Sequence, residues 1–230
     1  MFKHLSRILN AACSTCGITT EKAAPPAGIN KGFVEADDAA LAGFVERFEG
    51  DSREVSLARD AIFEALDIKP GMAIGDVGAG TGLYAPLFHN AVGVDGAVYA
   101  TELSPKMVEY LQQRVVNEKL STVKVIQSTA DTAGLPDHSC DLVFVGDAYH
   151  HFEYPGELLT GIKKGLKPGG RLAILDFHRI KGQSADWVMD HVRCGKQTVI
   201  KEARQSGFEL LGAPDVDGLE ENYLLIFKNT

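Results

Sequence analysis

No apolar run in this 230-residue sequence reaches the ~18–20 residues that a helical membrane span requires. Cysteine is scarce: Cys13, Cys16, Cys140 and Cys194 are too few and too irregularly spaced for a disulfide framework. Cys13 and Cys16 have CxxC spacing, but a single pair supplies at most half of a structural zinc site, and no thioredoxin-like strand precedes it, so it reads as incidental. An excess of positive charge is also missing. Asp and Glu number 31 against 23 Lys and Arg, for a net charge of −8. Such a chain gains nothing from counterion release on DNA or RNA, so no nucleic-acid partner is expected. There is no internal repeat and no low-complexity tract, which sets aside a solenoid.

What is present suits one globular unit. Apolar residues make up 45% and charged residues 23%, ordinary values for a chain able to bury one sizeable core. Residues 1–20 hold no Asp or Glu, but carry Lys3 and Arg7 and a short apolar patch interrupted by Asn10. Residues 1–35 are therefore expected to form a leader-like or disordered segment, and 36–230 the domain. The expected location is cytoplasmic, or exported or organellar if that segment is a cleaved leader.

From there helical and extended patterns alternate. A short acidic helix is expected over 37–48. A longer one over 52–66 has Ser52 as N-cap and Val55, Ala58, Ile62 and Leu66 on one face. Strands are expected at 72–77, 97–101, 123–126, 141–146, 171–177, 208–211 and 223–227. Between them lie helices that start at Ser104-Pro105 and Pro155, and a helix after Gly195 that ends at Gly207. Such alternation implies an α/β fold, a largely parallel sheet with helices on both faces.

The chemistry concentrates at the ends of those strands. The first runs into Asp76-Val77-Gly78-Ala79-Gly80-Thr81-Gly82, a glycine-rich turn opening a helix. In open α/β sheets ligands bind outside the carboxyl ends of the strands. The spacing is GxGxG; a dinucleotide fingerprint, GxGxxG, would need glycine where Leu83 stands, which argues against a nicotinamide enzyme. Glu102 ends the second strand, where a carboxylate can accept from both ribose hydroxyls. Asp131 follows the third strand, where it can accept from an adenine amine. The fourth ends in Gly146-Asp147-Ala148-Tyr149-His150-His151-Phe152.

In these segments, together with Ala130-Asp131, Leu135-Pro136 and Leu166-Lys167-Pro168-Gly169-Gly170, the chain resembles a class I S-adenosylmethionine-dependent methyltransferase of the small-molecule type. The resemblance implies a Rossmann-like three-layer sandwich with a seven-stranded, mostly parallel sheet whose last strand is antiparallel. It implies S-adenosyl-L-methionine as cofactor and S-adenosyl-L-homocysteine as product. It also implies that Gly78, Ala79, Gly80, Thr81 and Gly82 meet the methionine part, Glu102 the ribose and Asp131 the adenine. Asp76, Leu103 and Gly146 complete the expected cofactor contacts.

The protein must then hold an acceptor in line with the methyl group and, where the acceptor carries a proton, remove it. His150, His151 and Tyr149 are the candidates, because imidazole takes up a proton near neutral pH. Methyl transfer needs no metal, and none is expected, although His191 and Cys194 at i,i+3 spacing could pair on one with His178 or Asp147. The expected partner is a small-molecule acceptor. A protein acceptor, or a non-catalytic S-adenosylmethionine- or nucleotide-binding module, is the alternative. Oligomeric state is not specified by the sequence.

Overall fold

The computed structural model describes residues 28–50 and 53–230. The expected N-cap Ser52 and the Cys13/Cys16 pair lie outside the described residues, as does most of the leader-like segment. The strands are β1 (Ala73–Val77), β2 (Ala97–Glu102), β3 (Val123–Gln127), β4 (Cys140–Gly146), β5 (Leu166–Phe177), β6 (Phe208–Gly212) and β7 (Asn222–Asn229). They form one seven-stranded sheet in the order β3-β2-β1-β4-β5-β7-β6. The β1–β2, β2–β3, β1–β4 and β4–β5 pairs are parallel; β7 runs antiparallel to both β5 and β6. This is the sheet the resemblance implies.

The helices are α1 (Lys31–Val34), α2 (Asp38–Glu49), α3 (Glu54–Leu57), α4 (Arg59–Ala65), α5 (Ala85–Val92), α6 (Pro105–Asn117), α7 (Pro155–Gly165), α8 (Asp186–His191) and α9 (Lys196–Gln205). Period-two alternation in the central strand β4 sends Leu142 and Phe144 into one apolar cluster and Val143 and Val145 into another, so the sheet is buried on both faces. Ile62 of α4, Phe88 of α5 and Leu111 of α6 fill the first cluster. Leu159 and Ile162 of α7 and Val199 and Ala203 of α9 fill the second.

Local signals place several boundaries. Ser104 Oγ accepts from Met107 N at 3.4 Å, with Pro105 as the first residue of α6. Asp37 caps α2 by accepting from Ala40 N at 2.8 Å. Gly207 (φ 83°) closes α9.

Three boundaries differ from the expectation. The helix expected over 52–66 is broken at Ala58 (φ −85°, ψ 8°) into α3 and α4. The Glu54 carboxylate accepts from Glu220 N (2.8 Å) and Glu221 N (2.9 Å), which ties that first turn to the start of β7. Strand β5 begins before its glycine turn, because Leu166 already pairs with Cys140; the ladder shifts register before Leu142 meets Arg171. Residues 28–34, placed outside the domain by the sequence reading, form a turn and α1. Asn30 Nδ2 donates to His151 O at 3.0 Å and Glu153 Oε1 at 2.8 Å.

The chain winds from β1 outward to β3, then returns to lay β4 on the other side of β1. That reversal opens a crevice at the carboxyl ends of the central strands, and a cavity of about 820 Å³ lies there.

Candidate active site

The end of the cavity next to β1 and β2 is built mainly from main chain. After Val77 the backbone turns at Gly78 (φ 75°), and the N–H groups of Gly78 and Ala79 both donate to Thr101 O (2.9 and 3.0 Å). A Cβ on Gly78 would lie 2.6 Å from the Ala148 side chain, so glycine is required by both conformation and space. Glu102, 7% exposed, holds the loop: Oε2 accepts from Gly80 N at 2.9 Å and Oε1 from Ser104 N at 2.8 Å. Burial pushes its pKa up, against the lowering effect of those N–H donors. Asp76 is raised to about 7, chiefly by burial and further by the Glu102 charge. The Thr81 hydroxyl is buried without a partner among the described residues.

Asp76, Gly78, Ala79, Gly80, Thr81, Glu102, Leu103 and Gly146 all line the cavity. Two expected cofactor contacts do not. A Cβ on Gly82 (φ 86°) would meet Leu111 Cδ1 at 2.4 Å, so this glycine serves the packing of the loop on α6. Asp131 is exposed and accepts from Thr129 Oγ1 at 2.8 Å; its neighbours Ser128, Thr129 and Ala130 line the cavity in its place.

The other end, beyond β4 and β5, is built from side chains. Asp147 sits at φ 49° with its N–H on Leu175 O (2.9 Å), and its carboxylate takes donors from Arg53 and Asn222. Burial raises its pKa to about 6, although the Arg53 charge pulls the other way. A 3₁₀ turn over Tyr149–His151 follows.

The three residues of this turn have different surroundings. Tyr149 is fully buried in the second apolar cluster, and its hydroxyl donates to Glu202 Oε2 at 2.7 Å, so it faces away from the cavity. His150 lines the cavity. Its Nδ1 lies 2.8 Å from Asp176 Oδ1, and its N–H donates to Asp176 Oδ2 at 2.9 Å. Burial opposes its charge, but the Asp176 carboxylate, with Asp147 behind it, holds the pKa above the ordinary imidazole value. His151 is driven the other way, to about 2, by burial and by the neighbouring imidazoles. Its Nε2 is 3.3 Å from Nε2 of His191, whose pKa burial also lowers. His191 thus joins His150 and His151. Cys194 packs at the second cluster, and His178 stacks edge-on to Tyr223.

Aromatic rings close this end. Phe33 meets His151 edge-on (5.1 Å) and Phe177 meets Trp187 (5.0 Å); Phe48 instead reaches the β1–β2 end, 3.7 Å from the position of a Cβ on Gly80. Sequence reasoning missed Phe33, Phe48, Arg53 and Asn222, whose partners are remote in the chain. Asp176 left a signal, a lone acid inside the otherwise apolar stretch from Leu172 to Phe177.

Residues 75–174 match a family described as a methyltransferase domain. A ubiquinone/menaquinone biosynthesis C-methyltransferase of Cupriavidus metallidurans is 27% identical over 114 residues, covering 50% of this chain and 46% of that protein. A phosphoethanolamine N-methyltransferase of Triticum aestivum is 30% identical over 123 residues, 54% of this chain and 24% of that protein. The chain thus spans about half the length, or less, of these curated relatives. A SAM-dependent methyltransferase from Aquifex aeolicus has the same fold, with a TM-score of 0.72 over 85% of this chain and 100% of that one, at 24% identity.

Proposed function

We propose, on the premise that this chain belongs to the class I S-adenosylmethionine-dependent methyltransferases, that it methylates a small acceptor with a flat, apolar body. The observation that carries this reading is one continuous cavity with the glycine turn and Glu102 at one end and a histidine cluster walled by aromatic rings at the other. Its volume, about 820 Å³, is near the top of the ~300–1,000 Å³ typical of small-ligand sites, enough for a donor and an acceptor side by side.

The first end fits the cofactor. Each oxygen of Glu102 has one lone pair committed to a backbone N–H and another left for a ribose hydroxyl. Gly78 and Gly80 line this end of the cavity, the Thr81 hydroxyl there is buried without a partner among the described residues, and ionised Asp76 is placed to favour the ligand's ammonium group. When bound, S-adenosylmethionine supplies the activated methyl group on its sulfonium. The protein contributes position: Phe33, Phe177 and Trp187 hold a flat acceptor and exclude water. Where the acceptor carries a proton, His150 is the group that takes it. Asp176 engages Nδ1 and fixes the tautomer, which leaves Nε2 as the open lone pair of a ring that lines the cavity. The curated relatives named above are a C-methyltransferase of ubiquinone/menaquinone biosynthesis and a phosphoethanolamine N-methyltransferase, and those names support a small acceptor.

Incubating the protein with isotopically labelled S-adenosylmethionine and a pool of small metabolites tests the reading. Label is expected on a compound with an aromatic or conjugated ring. Label confined to added proteins, or to strongly charged aliphatic compounds, would overturn it.

A further inference from the structure

Three imidazoles from two separate elements meet inside the cavity. His150 and His151 come from the turn after β4, and His191 from the last residue of α8; one ligating atom of each lies within 4.8 Å of the others. The His151 Nε2 to His191 Nε2 distance is 3.3 Å. That is long for a hydrogen bond, whose usual donor–acceptor distance is about 2.9–3.0 Å. It matches the edge of a tetrahedral site: zinc–nitrogen bonds of about 2.0–2.1 Å place two ligating nitrogens about 3.3 Å apart. The third ring is prepared in the way metal-bound histidines are. Nδ1 of His150 engages Asp176, which leaves Nε2 as its ligating atom.

We propose that His150, His151 and His191 hold a divalent transition-metal ion of the zinc type, with the fourth position open to the cavity for an oxygen or sulfur of the acceptor. Three imidazoles with one open position form the ligand pattern of a reactive zinc site, not a closed structural one. Asp176 and Asp147 supply negative charge behind the cluster, and Arg47 supplies positive charge opposing it; the Arg53 charge is already paired with Asp147. With the ion in place, Nε2 of His150 is a ligand and no longer the base. A hydroxyl or thiol bound to the ion is acidified directly and releases its proton to water. This role of the fourth position rests on the methyl-transfer reading; the ion site itself does not.

Cobalt(II) titration of the full chain carrying Cys13→Ser and Cys16→Ser, which removes two thiols able to bind the probe, is the test. One equivalent is expected to give the intense visible absorption of four-coordinate cobalt, displaced by zinc. Affinity is expected to fall at least about tenfold in His191→Ala and in His151→Ala, since even loss of an outer partner costs ~10–100-fold. Circular dichroism and thermal melting verify that both variants are folded. Absence of that absorption in the parent, or equal affinity in both folded variants, overturns the site. Calorimetry with S-adenosylmethionine on the metal-free protein separates the two ideas. Cofactor binding without cobalt binding removes the ion and leaves methyl transfer standing; cobalt binding without cofactor binding does the reverse.

Discussion

At the β1–β2 end of the cavity most contacting groups lie close together in the chain, from Asp76 to Leu103, joined by Ser128, Thr129 and Ala130 after β3 and by Phe48 against Gly80. At the β4–β5 end they come from Phe33, Arg53, Asp147, His150, Asp176, Trp187, His191 and Asn222. The first end is fixed by short-range main-chain bonds, Gly78 and Ala79 on Thr101 and Gly80 on Glu102, within one βαβ unit. The second exists only when the segment before β1, the turn after β4, the end of β5 and the segment after it are packed together. A site of the first kind suits a ligand of fixed structure. A site of the second kind can change with the acceptor, because Phe33, Arg53, Trp187 and His191 sit on short helices or the turns beside them, outside the sheet.

If the two ends are separable in this way, His150→Ala should produce the largest effect. The methyl-transfer rate is expected to fall by about 10²–10⁴-fold, the usual contribution of positioned proton transfer, whether His150 takes the proton itself or helps hold the ion that acidifies the acceptor, with the S-adenosylmethionine dissociation constant little changed. Rate assays with labelled cofactor beside calorimetry check this, and a parallel loss of cofactor affinity would break the separation. Glu102→Ala should act on the opposite end. Loss of a charge-assisted hydrogen bond of about 1.5–3 kcal/mol implies a dissociation constant raised roughly 10–150-fold. The N–H groups of Gly80 and Ser104 also lose their acceptor, so the melting temperature should drop with it.

Asp76 gives a pH signature to the cofactor end alone. Its folded-state pKa is raised to about 7 from an ordinary 3.8, so between those values the folded protein keeps a proton that the unfolded chain releases. Its stabilising contribution is therefore present at low pH and is lost as pH rises through about 7. Binding of a cationic cofactor draws on the ionised form, so affinity should weaken by up to about tenfold per pH unit below 7. Asp76→Asn should flatten that slope in calorimetry run across pH; a slope retained in the variant would assign it to another group. The smallest effect is expected from Trp187→Ala. Trp187 is 49% exposed, so stability should move by no more than about 0.5 kcal/mol while the acceptor KM rises. An unchanged acceptor KM would remove Trp187 from the acceptor wall.

All seven strands were legible in the sequence to within a few residues, because apolar runs bounded by glycine and proline turns are local signals. The glycine turn and the strand-end position of Glu102 were legible for the same reason, and Gly78, Gly80 and Glu102 line the cavity. Where expected contacts do not line the cavity, the causes are physical as well. Gly82 and Asp131 fit the spacing of a ligand site, yet Leu111 takes the space beside the first, and the second faces solvent with Thr129. Tyr149 and His150 are adjacent in the chain, but the 3₁₀ turn sends one to Glu202 and the other to Asp176.

Among the described residues no helix is long and apolar enough to cross a membrane, in line with the lack of long apolar runs. By itself the sequence determined where the strands and helices lie and the glycine turn with its carboxylate, since each depends on the period and spacing of near neighbours; the antiparallel last strand was implied by the family resemblance, not by that spacing. Only the tertiary structure decided which histidines share a cavity, that Asp176 stands behind His150, and that Phe33 and Trp187 close over them. These contacts join residues far apart in the chain, and burial and charge act through space and leave no periodic trace along it.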